Sequence, residues 1–186
     1  MTVNGQRHVG VFCASSTKIP AGYMDLAEEV GCLLATHGLT LVWGGGSVGM
    51  MGRLAQGVQK QGGRVIGVIP QFMAGTEVAY TGADELIITT DMRQRKAEME
   101  KRSDAFLVLP GGVGTLDEMF EILTLRVLEQ HNKPVVIMNH QGFYDPLLAF
   151  FEHMFEAQFL RRESRNHFHI ANSPAQALAL LFPEQV

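Results

Sequence analysis

The sequence predicts an α/β fold, one doubly wound and mainly parallel sheet flanked by helices, on three observations. Short apolar, β-branched runs recur along the 186 residues, segments of helical period separate them, and glycine-rich stretches follow two of the runs. The runs fall at 9–13, 39–43, 65–69, 86–89, 105–109 and 135–138. Their continuity, without polar alternation, is that of strands covered on both faces. Between the first two, segment 24–36 places Leu26, Val30, Leu33 and Leu34 at i, i+4, i+7 and i+8. Further helices are expected to open after residue 44, at Asp91, and over 116–128, where Leu116, Phe120, Leu123 and Val127 form one stripe. From Tyr144 onward two helical segments bracket an extended piece at 167–171, the second with Ser173 as cap and Pro174 at its first position. No internal repeat, low-complexity tract or linker interrupts the pattern, so residues 1–186 are read as a single Rossmann-like, nucleotide-binding domain.

Charge and cysteine usage exclude several classes. Lys and Arg number 15 against 19 Asp and Glu, a formal charge of −4, so there is no basic surplus to grip a nucleic-acid backbone or an anionic membrane. Cys13 and Cys32 are too few for a disulfide scaffold and form no C-x-x-C pair. The N-terminal residues lack the apolar run of a signal peptide, and no stretch approaches the ~18 apolar residues of a membrane span. A soluble protein of the reducing cytoplasm is the simplest reading. His167 and His169 share one face of a strand but have no cysteine or acidic ligand pattern beside them, and no metal is expected.

In open sheets of this kind ligands bind beyond the carboxyl ends of the strands, so the glycine-rich loops there are the places to look for chemistry. The first, GGGSVGMMG (44–52), matches G-x-G-x-x-G at Gly44, Gly46 and Gly49. A dinucleotide fold would want an acidic residue at the end of the next strand, but 65–69 runs into Pro70-Gln71. NAD is therefore disfavoured while a mononucleotide remains compatible; Gly45 is a candidate ligand contact, and Ser15 and Ser16 either add hydroxyls to the crevice or cap the helix region near Pro20. The second loop, PGGVGTLDE (110–118), has three glycines that leave amides uncovered and a Thr115 hydroxyl where the next helix begins. That combination is an anion cradle. It lacks the Walker A lysine, which argues against ATP hydrolysis.

Glu118 has two readings. Thr115-x-x-Glu118 is a capping box in which the glutamate bonds back to the first amides of its helix. Alternatively, an anion in the cradle takes those amides and leaves the carboxylate beside a sugar phosphate, where it can do acid/base or cation-stabilising work. Arg93, Arg95 and Lys96 put three cations at the positive end of a helix, a placement that invites a compensating anion, although a solvated charged face explains them as well. The ten methionines read as filler of core or interface.

PGGVGTLDE (110–118) resembles the P-G-G-x-G-T-x-x-E signature of the Lonely Guy family, cytokinin riboside 5′-monophosphate phosphoribohydrolases long mislabelled as lysine decarboxylases. The likeness extends through VFCASS (11–16), GGGSVGMMG (44–52), EVA (77–79), the Met92-x-x-Arg95-Lys96 pattern, KPV (133–135) and GFYDPL (142–147). It implies hydrolysis of the N-glycosidic bond of adenosine 5′-monophosphate or its N6-substituted forms, with no cofactor. It further implies Arg95 and Glu118 as the catalytic pair. Substrate contacts would come from Glu77, Lys96, Gly111, Gly112, Val113, Gly114, Thr115, Leu116, Asp117, Glu118 and Thr124. Two positions depart from the family pattern: Arg93 stands where His is frequent, and Leu125 where plant-type members carry Trp. Members resemble one another in being at least dimers, with the site completed near the subunit interface. Molybdenum-cofactor carrier proteins resemble the family in fold and glycine loops, which makes a non-catalytic carrier the alternative.

Overall fold

The computed structural model describes residues 6–74 and 79–184. Among them seven parallel strands form one sheet: β1 (His8–Phe12), β2 (Thr40–Trp43), β3 (Val65–Pro70), β4 (Glu85–Thr89), β5 (Ala105–Val108), β6 (Val135–Met138) and β7 (His169–Ala171). Their spatial order is β4-β3-β2-β1-β5-β6-β7. The chain winds outward from β1 through β4, then returns to place β5 on the free side of β1, where Val11 faces Leu107 and Phe12 faces Val108. The winding direction therefore reverses between β1 and β5, and the crevice above their carboxyl ends is the topological switch point of the sheet.

Helices cover both faces. The β1 side chains alternate: Val9 and Val11, with Cys13 just beyond the strand, join a core with Leu26, Val30 and Leu34 of α1 (Ala21–Thr36), Leu54 and Val58 of α2 (Gly49–Lys60), and Leu178 and Leu181 of α7 (Pro174–Leu181). Phe12 points to the other face, where Met99 of α4 (Met92–Arg102), Met119 and Ile122 of α5 (Val113–Val127) and Phe151 and Phe155 of α6 (Asp145–Glu156) pack on Phe106, Val108 and Ile137. The short α3 (Gln71–Ala74) lies at the end of β3.

Every strand read from the sequence is present, within one or two residues at its ends. The helix starts differ more. α1 begins at Ala21, three residues before the expected start, and α5 begins at Val113 with Gly112 as its N-cap. Of the expected α5 stripe, Leu123 is buried and Leu116 packs against the core, whereas Phe120 and Val127 are 39% and 42% exposed. That helix keeps an apolar face in the open.

Candidate functional site

The switch-point crevice is a cavity of about 590 Å³, walled by the segment after β1, the glycine loop after β2, the end of β3 and the start of α5. Its lining includes Ser15, Gly44, Arg95, Gly112, Val113, Gly114, Thr115, Asp117 and Glu118. Spacing explains the floor: Gly112, Thr115 and Glu118 stand three residues apart on the first turns of α5, so they share one helix face. Thr115 and Glu118 are buried. No capping box forms, because α5 starts two residues before Thr115 and the Glu118 carboxylate turns instead to α4.

There it meets Arg95. The guanidinium Nη1 donates to Glu118 Oε1 at 2.7 Å, and Nε donates to the Val68 carbonyl of β3 at 3.1 Å. Arg95 is 8% and Glu118 7% exposed, so this is a buried ion pair on the cavity wall. Burial pushes the Glu118 carboxyl up from its ordinary value, and the charge and hydrogen bond of Arg95 work against that shift without overcoming it. Desolvation is the larger effect, and the nearby cation alone does not set the ionisation of this carboxyl. Burial also pushes the neighbouring Cys13 thiol far up, with the Glu118 charge adding to the rise, so it stays protonated.

Arg95 and Lys96 at the start of α4 both have counter-charges. Asp91 caps the helix by accepting from the amides of Arg93 and Gln94, both at 2.8 Å. Lys96 Nζ bridges to Asp117 at 3.0 Å and to Glu121, tying α4 to α5 alongside the Arg95–Glu118 pair. Arg93 is exposed.

The two glycine loops play different parts. In the first, the space a side chain would take is already filled by protein: a Cβ on Gly44 would press into Arg95, on Gly46 into Met51, on Gly52 into the Ser47 carbonyl, and on Gly49 it would lie 2.5 Å from the Ser15 backbone at a φ of +62°. In the second, a Cβ on Gly112 or Gly114 would meet nothing within 4 Å. Only the second loop leaves open space beside amides at a helix start, which is the arrangement that accepts an anion. Behind it, the buried Tyr144 hydroxyl donates to the Leu109 carbonyl at 2.8 Å, fixing the end of β5 from which the loop departs.

Other expected contacts lie elsewhere. Gly111 sits behind the cradle, where a Cβ would clash with Thr115, and Leu116 faces the core. Gly45 is buried at a φ of +69° against Ile69 and Leu86, behind the wall that Gly44 and Gly46 form. Thr124 is exposed and lines a separate apolar groove with Phe120, Val127, Leu128 and Phe151. Glu77 lies outside the described residues. Sequence reasoning missed the apolar half of the cavity, Ile69, Met51, Met73 and Met92. Met51 and Met92 stand inside the quoted motifs, the one available signal that they are more than filler.

A doubly wound sheet whose switch-point crevice combines an open anion cradle with a buried carboxylate–guanidinium pair defines an α/β protein built to hold a small anionic ligand. The chain belongs to the Lonely Guy family, whose family model is described as "possible lysine decarboxylase" and matches residues 51–181. It is 41% identical over 181 residues to a cytokinin riboside 5′-monophosphate phosphoribohydrolase of Mycobacterium tuberculosis, covering 97% of this chain and 96% of that one. To a probable enzyme of the same name from Oryza sativa subsp. japonica it is 42% identical over 175 residues, covering 94% and 72%. Among solved structures it is similar to the molybdenum cofactor binding protein of Rippkaea orientalis, with a TM-score of 0.75, 25% identity and coverage of 97% and 98%. A decarboxylase of amino acids would call for pyridoxal phosphate on a lysine. The described lining of the cavity holds no lysine, and Lys96 is committed to Asp117 and Glu121, so these residues do not fit that cofactor.

Proposed function

We propose that this chain hydrolyses the N-glycosidic bond of adenosine 5′-monophosphate and its N6-substituted forms, releasing the free base and ribose 5-phosphate. The observation that carries the reading is the buried Glu118–Arg95 pair opening into the same cavity as the unfilled Gly112–Thr115 cradle. The names of relatives more than 40% identical agree with it.

The 5′-phosphate docks on the amides at the start of α5, where the helix dipole and the Thr115 hydroxyl favour an anion, and this fixes the ribose relative to Glu118 one turn further on. As the bond from C1′ to the base nitrogen breaks, its electron pair leaves with the base and positive charge develops on the sugar. The ionised Glu118 carboxylate stabilises that charge and takes a proton from the attacking water, whose oxygen bonds to C1′. The departing base gains a proton, and the balance is one water consumed. Arg95 holds the carboxylate in place through its 2.7 Å hydrogen bond and offers a cation to the phosphate side of the site. The apolar wall of Ile69, Met51, Met73 and Met92 suits the faces of a purine.

Thr124 and the residues around it support a second copy of the chain as partner. Leu128 is 60% exposed, and with Phe120 and Val127 it forms an apolar face on α5, continuous with a groove of about 270 Å³. Pairing through that face covers it and brings Thr124 into an interface near the site. Among the described residues no helix is long and apolar enough to cross a membrane, and both cysteines are free, which supports the reducing cytoplasm as the setting.

A molybdenum-cofactor carrier has 25% identity behind it against 41% for the hydrolase. Incubating the purified protein with adenosine 5′-monophosphate or its N6-isopentenyl derivative and separating the products by chromatography tests the proposal. Equal amounts of base and ribose 5-phosphate support it, and intact nucleotide after prolonged incubation overturns it.

A further inference from the structure

The first glycine loop matches a phosphate-binding pattern, yet its glycines are packed against protein, and one of them against the guanidinium of the candidate catalytic pair. We propose that Gly44 is a positioning residue: the bare Cα at the end of β2 is the seat that holds the Arg95 guanidinium on Glu118. The inference rests on the proposed hydrolysis and assigns a part in it to a loop that the mechanism otherwise leaves unused.

The guanidinium is held on three sides. Nε donates to the Val68 carbonyl at 3.1 Å and Nη1 to Glu118 at 2.7 Å. The third nitrogen, Nη2, lies over Gly44, where an added Cβ would stand 3.1 Å from Arg95 Cζ and, from Nη2 itself, far inside the 3.0 Å that real Cβ contacts essentially never breach. Gly44 has no positive φ among the glycines that adopt one, so an alanine there is not strained by its backbone. The obstacle is one flexible side chain, so the fold can absorb the substitution by moving the Arg95 guanidinium about 1.5 Å or more, the distance at which ordinary van der Waals contact is regained. The same displacement carries Nη1 out of good hydrogen-bonding range of Glu118. The site loses alignment while the core keeps its packing.

The consequence for ionisation follows from what surrounds Glu118. Cys13 from the end of β1, Arg95 and Lys96 from α4, and Asp117 on α5 are the titratable and charged groups acting on it or coupled to it. Arg95 supplies the largest influence opposing burial. Moving it away raises the pH at which the carboxylate ionises.

The test is steady-state kinetics of wild type, Gly44→Ala, Arg95→Lys and the double variant with adenosine 5′-monophosphate, with thermal melting of each. Gly44→Ala is expected to melt within a few degrees of wild type, keep KM within about threefold, lose about 10²-fold in kcat, and move the acid limb of the kcat profile to higher pH. Arg95→Lys, which has no Nη2 to collide with the new methyl, should cost much less in the Gly44→Ala background than in the wild-type one. Wild-type kcat in Gly44→Ala, or fully additive losses in the double variant, overturns the inference. An Arg95→Lys variant as active as wild type likewise overturns the inference, whereas a wild-type enzyme that releases no base overturns the hydrolase reading instead.

Discussion

Glu118→Gln separates the chemistry of the carboxylate from its place in the structure. The side chain is 7% exposed and accepts one hydrogen bond from Arg95 Nη1 at 2.7 Å. Glutamine has the same shape and keeps an amide oxygen for that donor. It does, however, leave the buried Arg95 guanidinium without its counter-charge, and breaking a buried ion pair from one side is destabilising. With the hydrogen bond kept, the expected loss of unfolding free energy is about 3 kcal/mol, equivalent to roughly 6–12 °C in Tm for a chain of this size. With the phosphate docked as proposed on the Gly112–Thr115 turn, away from the substituted side chain, affinity for adenosine 5′-monophosphate is expected to stay within about threefold. Turnover is different: an amide neither takes a proton from water nor offers full negative charge to the forming cation, which costs on the order of 10²–10⁴-fold in kcat. The assay is release of base and ribose 5-phosphate, with calorimetry for nucleotide binding. A variant that folds, binds nucleotide and turns over within threefold of wild type refutes the role assigned to Glu118.

Four further outcomes follow from the same geometry. Because burial raises the Glu118 pKa above its ordinary 4.5, the acid limb of kcat should lie above pH 4.5, and Arg95→Ala, which removes the opposing cation, should move it higher still; a limb at or below 4.5 contradicts this. The sign for stability is the reverse: the folded state holds this proton more tightly than the unfolded one, so the contribution is present below the unfolded value and is lost as pH rises through the folded value, which urea titrations across that window would show. Gly114→Val, placed where an added Cβ meets nothing within 4 Å, should fold normally yet raise KM about tenfold by crowding the phosphate, and an unchanged KM would move the anion elsewhere. Leu128→Asp should convert a particle of twice the 20.5 kDa chain mass to a monomer in light scattering, and a wild type that is already monomeric removes the α5 face from the interface.

The strands were legible in the sequence because burial on both faces of a parallel sheet leaves a continuous apolar run, a signal that needs no tertiary context. The helix starts were less so. The Thr115-x-x-Glu118 pattern satisfied the rules of a cap, but Gly112 took that position and placed both residues inside the helix. Of the candidate site, the open glycine loop at the start of α5 could be read from the sequence, and the pairing of Arg95 with Glu118 came only through family resemblance, since they are 23 residues apart in sequence. What joins them is the sheet order, which sets α4 and α5 together on one face, and no local pattern reports that. The first glycine loop misled for a related reason: a glycine kept free for a ligand and a glycine kept free for an arginine look the same in sequence.

The most direct measurement is a crystal structure of Glu118→Gln with adenosine 5′-monophosphate bound. The phosphate oxygens should lie about 3 Å from the amides of the 112–115 turn, with C1′ on the side of residue 118 and the purine against Met51, Met73 and Ile69. A phosphate seated on the 44–49 loop, or a ribose whose C1′ faces away from residue 118, would contradict the account.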